Sequence, residues 1–354
     1  MKKSLLALAV LTGFTGVASA QSSVTLFGVV DVNVRNVKNG GTNIWQTGTD
    51  GLNSSRLGFR GVEDLGGGLK AGFWLEAALN PDDGTSNSDR FWHRRATVSL
   101  ESTALGEVRL GRDFTPTYTG ISSFDPFGDN GGGKFSSLQK GITRTPAAPA
   151  APTAWVDTNT RSDNEIQYFL PKNLGGVYGS LAFAPGEGTV GKKYVGGRVG
   201  YAAGALDVSG SYGQTDANLA EDKYKLGSVG AAYDFGVIKI MGSFTQIKYI
   251  SFKEKMYFGG VLVPVGSGVI RASLGKADLE GGTTAARTSD ADDATLAAIG
   301  YVHNLSKRTA LYTTYSQITN KGNQNFTTLT APATVPAVAG QKSRSFELGL
   351  RHSF

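Results

Sequence analysis

Residues 24–35 read Val24-Thr25-Leu26-Phe27-Gly28-Val29-Val30-Asp31-Val32-Asn33-Val34-Arg35, and this stretch decides the fold. Val24, Leu26, Gly28, Val30, Val32 and Val34 lie on one face of an extended chain. Thr25, Phe27, Val29, Asp31, Asn33 and Arg35 lie on the other. This two-residue period outlasts the ~5–6 residues of an average soluble strand. It matches the ~9–11 residues that a tilted strand needs to cross a bilayer with half its side chains apolar.

The alternation recurs to the C-terminus and predicts sixteen strands. They cover 23–37, 52–63, 68–80, 90–102, 105–113, 162–170, 176–185, 193–203, 205–215, 223–234, 236–249, 253–263, 266–277, 293–304, 307–319 and 343–354. No stretch sustains a capped 3.6-residue period, so helices are minor. Connections alternate in length. Short ones carry turn formers: Asp64-Leu65-Gly66, Thr103-Ala104-Leu105-Gly106, Ala203-Gly204, Asp234-Phe235-Gly236 and Asn304-Leu305-Ser306-Lys307. Between them lie long polar segments at 38–51, 81–89, 114–161, 186–192, 216–222, 278–292 and 320–342. A barrel with tight turns at one rim and long loops at the other produces this alternation. The expectation is an all-β, 16-stranded antiparallel transmembrane barrel, wide enough to hold an aqueous channel.

Composition narrows the class. The chain has no cysteine, which excludes disulfides, thiolate metal sites and a cysteine nucleophile. Its 49 glycines carry no Gly-X-Y period, against collagen. No segment beyond the N-terminus reaches the ~18 consecutive apolar residues of a membrane helix. That N-terminus reads as a secretion signal. Lys2 and Lys3 precede the apolar run Leu5 to Val17, and Ala18-Ser19-Ala20 offers small residues for cleavage. Residues 1–20 are therefore expected to be cleaved, leaving one domain at 21–354. Losing Lys2 and Lys3 lowers the formal charge from +6 to +4, a mild excess that by itself indicates no partner.

The inward faces are polar where the pattern is cleanest. In the second predicted strand Leu57 and Phe59 point outward, while Arg56 and Arg60 point inward. In the fourth, Ala96, Val98 and Leu100 point outward, and Arg95, Thr97 and Ser99 inward. The last strand sets Phe346, Leu348, Leu350, His352 and Phe354 against Glu347 and Arg351.

At these residues the chain resembles the general bacterial porins of Gram-negative outer membranes, and within them the β-proteobacterial trimeric, anion-preferring branch. The matching segments are Val24-Thr25-Leu26-Phe27-Gly28, Ser55-Arg56-Leu57-Gly58-Phe59-Arg60-Gly61 and Glu63-Asp64-Leu65-Gly66-Gly67-Gly68-Leu69-Lys70-Ala71. Leu110-Gly111-Arg112 and Gly349-Leu350-Arg351-His352-Ser353-Phe354 complete the set. The resemblance spans the whole mature chain. It implies a diffusion channel and not an enzyme, assembled as a homotrimer among outer-membrane lipid and lipopolysaccharide. Small inorganic and organic anions are its expected permeants. It implies a C-terminal strand ending at Phe354 that the barrel-assembly machinery reads, and a second long loop, around Asp82 to Asp89, that latches subunits.

The resemblance also implies that the third long loop, 114–161, folds into the lumen and narrows it. The family's Pro-Glu-Phe-Gly-Gly stretch stands here as Asp125-Pro126-Phe127-Gly128-Asp129, without the Glu but with Asp125 and Asp129 flanking Phe127. The Thr145–Ala154 part looks like an insertion, mobile or packed at the rim. Opposite the loop the family places wall arginines. By motif and parity they are Arg56, Arg60 and Arg95 here, with Arg94 in place of Arg95 if the register slips by one, and Arg161 opening the sixth strand. Guanidinium groups stay charged at physiological pH and enrich anions in a narrow, low-dielectric channel. Anion preference is the expectation.

Other constellations carry less. His93, His303 and His352 share no ligand spacing, and Ser289-Asp290-Ala291-Asp292-Asp293 lacks the Gly and distal Glu of an EF-hand, so no metal or cofactor is expected. Gly66-Gly67-Gly68 and Gly131-Gly132-Gly133 lead into no Lys-Ser/Thr helix start, and no Gly-x-Ser-x-Gly elbow is present. Basic residues spread along strands argue against nucleic acid.

Overall fold

In the computed structural model the chain forms a closed ring of sixteen antiparallel strands. The structure describes residues 23–86, 90–139, 156, 158–218, 220–283, 286–287 and 292–354. The proposed signal peptide, the Thr145–Ala154 insertion and most of the 289–293 carboxylate run lie outside these residues, as do residues 87–89 of the second loop.

The strands are β1 (Ser23–Asn39), β2 (Arg56–Gly66), β3 (Leu69–Asn80), β4 (Arg95–Ser102), β5 (Gly106–Phe114), β6 (Arg161–Phe169), β7 (Val177–Ala184) and β8 (Tyr194–Ala203). They continue as β9 (Leu206–Asp216), β10 (Lys223–Asp234), β11 (Lys239–Tyr249), β12 (Phe252–Val265), β13 (Gly268–Glu280), β14 (Ala294–Asn304), β15 (Thr309–Asn320) and β16 (Lys342–Ser353). Each pairs with the next in sequence, and β1 closes the ring against β16 from Val29↔Ser353 to Asn39↔Ser343. All sixteen expected strands are present, with ends displaced by a few residues.

Two displacements have a shared cause. The predicted loop 38–51 contains a further strand, Thr42–Thr49, which folds back at Gly40 and pairs with Val32–Asn39. The predicted start of the second strand at residue 52 moves to Arg56, because 50–55 leaves the wall. Asp31 faces inward and is fully buried; its carboxylate accepts the backbone N–H groups of Leu52 at 2.9 Å and Asn53 at 2.7 Å. A buried carboxylate without donors is costly, so it draws this backbone inward.

Alternation gives the ring two chemically distinct surfaces. Val24, Leu26, Val98, Leu100, Leu181, Val229, Leu274 and Leu348 are exposed on the outer face. Exposed apolar area this continuous belongs against lipid rather than water. Aromatic residues collect at two heights: Tyr212, Tyr257, Tyr315 and Phe346 toward the loop-bearing rim, and Tyr201, Tyr233, Phe235 and Phe354 toward the tight turns. From Phe346 to Phe354, at ~3.3 Å per residue and ~40° tilt, the apolar band is roughly 20 Å tall. The tight turns rely on glycine where φ is positive; Gly66, Gly67 and Gly68 run at +81°, +61° and +79°.

Candidate functional site: the lumen and its third loop

The third loop is held to the inner wall along most of its described length. It leaves β5 through a short helix, α1 (Pro116–Ser122), whose N-terminus is capped by Thr115 Oγ1 accepting from Tyr118 N–H, with proline in the first turn. Gly120 of α1 packs so closely that a Cβ there would lie 2.3 Å from Ser211 Oγ, an inward residue of β9. Phe124 is fully buried over Gly230 of β10, where a Cβ would meet its ring at 2.1 Å. Further on, Ser273 Oγ of β13 donates to the Gly133 carbonyl at 2.7 Å. Gly132 N–H donates to Glu347 of β16 at 2.9 Å, and Gly131 N–H to the Asp50 carbonyl at 3.0 Å. The loop thus lines the wall from β9 round to β16.

The predicted loop residues take distinct positions. Asp125 is buried and accepts the backbone N–H groups of Phe127, Asp129 and Phe135 at 2.8, 2.9 and 3.1 Å. Burial pushes its carboxyl up to about 7 against the pull of those three donors. It organises the turn. Phe127 is buried under the Arg271 guanidinium, 4.3 Å from its ring centroid. Asp129 accepts from the Tyr118 hydroxyl at 3.0 Å. Tyr118 stacks on Phe114 at 4.7 Å, and the Arg161 guanidinium lies 4.1 Å over the far partner, Phe114.

Across the lumen, β2–β6 present the arginines. Arg56 Nη1 lies 3.4 Å and Arg94 Nε 2.5 Å from the same oxygen, Glu76 Oε1, while Trp74 Nε1 donates to Glu76 Oε2 at 3.1 Å. Arg161 is buried, within electrostatic reach of Arg94 and Glu76, and has no carboxylate at ion-pair distance among the described residues. Two guanidiniums therefore share one carboxylate, with a third within its electrostatic reach. Arg95 belongs to a different group: it stacks on Trp74 at 4.5 Å and reaches Asp113 at 3.4 Å, which Arg109 also holds at 2.6 Å. Arg60 lies over Trp74 at 5.2 Å and Phe27 at 5.4 Å.

Parity favoured Arg95 over Arg94, yet both side chains face inward. β4 begins only at Arg95, so Arg94 precedes the pleat and is not bound by its alternation. Its backbone N–H donates to the Glu76 carbonyl at 3.1 Å, which sets its side chain beside that carboxylate. Sequence reading also missed Glu76, Trp74 and Asp113. For Trp74 and Glu76 the signal was present, because they share the inward parity of β3 and stand opposite Arg60 and Gly58 of β2. Parity turned Glu347 inward but gave no sign that it and Arg271 fasten inward segments, since Gly132 and Gly51, which they hold, lie more than two hundred residues away in sequence.

A model of the Gram-negative porin family matches residues 7–323. The chain is 40% identical to outer membrane porin protein 32 of Delftia acidovorans, over the full length of both. It is 28% identical to an outer membrane porin of Bordetella pertussis, again over the full length of both. Among solved structures it is similar to the anion-selective porin from Comamonas acidovorans, with a TM-score of 0.79 and 36% identity, covering 94% of this chain and all of that one. The trimer form of the Vibrio cholerae outer membrane protein OmpT shares the fold at a TM-score of 0.62 and 14% identity, covering 94% of this chain and 99% of that one. With an apolar outer belt, a polar lumen and these relatives, the chain belongs to the Gram-negative porin family and is an outer-membrane channel protein rather than an enzyme.

Proposed function

We propose that this porin is an anion-selective diffusion channel for small hydrophilic solutes, with its filter at Arg56, Arg94 and Arg161. The observation that carries the reading is the charge imbalance about Glu76: Arg56 and Arg94 share its carboxylate, and Arg161 stands within electrostatic reach with no carboxylate at ion-pair distance among the described residues. Facing them, the loop's Asp125 is buried and turned to its own backbone, so it offsets little of that charge. Fixed like charges between low-dielectric walls raise the local potential and enrich counter-ions. The relative from Comamonas acidovorans, described as anion-selective, supports the same reading. Arg60 extends the basic lining, and Arg95, tied to Asp113, contributes less net charge. Homotrimeric assembly, cleavage after residue 20 and recognition of the Phe354 end by the assembly machinery complete the proposal.

Planar bilayers under a salt gradient test it. The reversal potential should show anion preference. Arg56→Ala, Arg94→Ala and Arg161→Ala should each reduce the anion-to-cation permeability ratio, more at 0.1 M salt, where the Debye length is ~10 Å, than at 1 M, where it is ~3 Å. Cation preference in the unaltered channel would sink the proposal.

A further inference from the structure

The foot of the filter carries two aromatic rings that charge selection does not need. On the inward face of β2 the residues run Arg56, Gly58, Arg60, and the register sets Phe27 of β1 opposite Gly58 and Trp74 of β3 opposite Arg60. Gly58 leaves a gap in the row, and the Phe27 ring lies in it: a Cβ there would be 2.3 Å from that ring. Phe27 and Trp74 meet edge to face with centroids 5.1 Å apart, and both are half-buried. They make an aromatic floor on the wall, with Arg56 on its loop-bearing side and Arg60 on the side of the tight turns.

Arg60 is set apart from the arginines around it. Arg56, Arg94, Arg95 and Arg109 each hold a carboxylate, and Arg161 is buried. Arg60 is exposed and has no carboxylate at ion-pair distance among the described residues. Its guanidinium lies 5.4 Å from the Phe27 centroid and 5.2 Å from that of Trp74, so it rests on the floor rather than reaching into water. A guanidinium is planar and delocalised; it offers its edge to a carboxylate and its face to a flat π system, which the compact ammonium of lysine does not. An inorganic anion or an aliphatic acid uses the charge and gains little from the rings. An acid carried on a flat aromatic ring uses both, with its carboxylate beside Arg60 and its ring against the floor.

We infer that this ledge is a lumen site for aromatic carboxylates, favouring them over aliphatic acids of equal charge and size, with Arg60 as the carboxylate contact and Phe27 and Trp74 as the surface for the ring. The inference rests on the anion-selective reading and adds a distinction that charge alone does not make. The test compares benzoate with cyclohexanecarboxylate, which share charge and carbon count and differ in the flat ring. Each is titrated at neutral pH against the chloride current of single channels in planar bilayers. Benzoate should block saturably, with a half-blocking concentration about two- to fivefold below that of cyclohexanecarboxylate, the size of one exposed cation–π contact. Arg60→Lys keeps the charge and loses the flat face, and Phe27→Leu removes the ring that fills the gap at Gly58; each should bring the two acids level. Open channels in potassium chloride show that both variants fold. Chloride preferred over potassium with the two acids level in the unaltered protein, or a benzoate advantage that survives in both variants, would overturn the inference alone. Potassium preferred over chloride would overturn the anion-selective reading and the inference with it.

Discussion

At the scale of single residues, Glu76 decides how much of the wall's positive charge is felt. It holds Arg56 and Arg94 by one oxygen and Trp74 by the other. Glu76→Gln keeps the shape and removes the negative charge, so the permeability ratio should move further toward anions in a reversal-potential measurement; a move toward cations contradicts the filter. His93 illustrates a silent group in a charged place. Burial first, and then Arg112, Arg161, Arg94 and Arg90, hold its imidazole down at about 4. A base whose folded value lies below its ordinary ~6.5 favours the folded state when neutral; stability is present above pH 6.5 and declines toward pH 4 as the unfolded chain takes up the proton. His93→Gln should leave selectivity unchanged between pH 5 and 7 and lessen the acid sensitivity of unfolding below pH 6.5. A pH-dependent selectivity lost in that variant would contradict this. Parity alone placed Arg56, Arg60 and Arg95 correctly, because side-chain direction in a strand follows from counting. It did not resolve Arg94, whose backbone lies outside the pleat.

At the scale of elements, the third loop is a fastened piece of wall. Arg271 of β13 joins two inward segments: it covers Phe127 and donates from Nη2 to the Gly51 carbonyl at 3.1 Å. It also stands within electrostatic reach of the buried Glu347, which in turn accepts from Gly132. Arg271→Met removes the cover over Phe127, the hydrogen bond to Gly51 and one of the two cations within electrostatic reach of Glu347, a loss of roughly 1–3 kcal/mol. Lower thermal stability and larger current fluctuations in single channels are expected; a variant as quiet and as stable as the parent shows that the loop is held elsewhere. Strand positions were legible because lipid on one side and water on the other write a period of two into each strand. The inward excursion at 50–55 was not, because its cause is the demand of Asp31 for donors, a tertiary requirement that leaves no local trace.

At the scale of the molecule, closure depends on a small meeting place. Gly28 and Phe354 exchange backbone hydrogen bonds at 3.0 and 3.1 Å, and a Cβ on Gly28 would lie 2.3 Å from the Phe354 ring and 2.8 Å from the Arg56 carbonyl oxygen. Gly28→Val should therefore lower the fraction of chain that reaches the folded, heat-modifiable barrel on semi-native electrophoresis; an unchanged fraction would show that the seam tolerates displacement of the last residue. The composition and pattern of the sequence sufficed for the ring and for its size, since both follow from strand number. Which strands the third loop grips depends on side chains meeting across the lumen, and these contacts became visible only with the ring closed.

The same seam has a consequence in time. The strand that closes on β1 is the one farthest from it in sequence, so until both are in place the sheet has two bare edges and no inside. No partial set of strands is a smaller version of the finished channel, and every one exposes hydrogen-bonding edges that invite mispairing. Becoming a barrel is therefore a single event, the meeting of the first strand and the sixteenth.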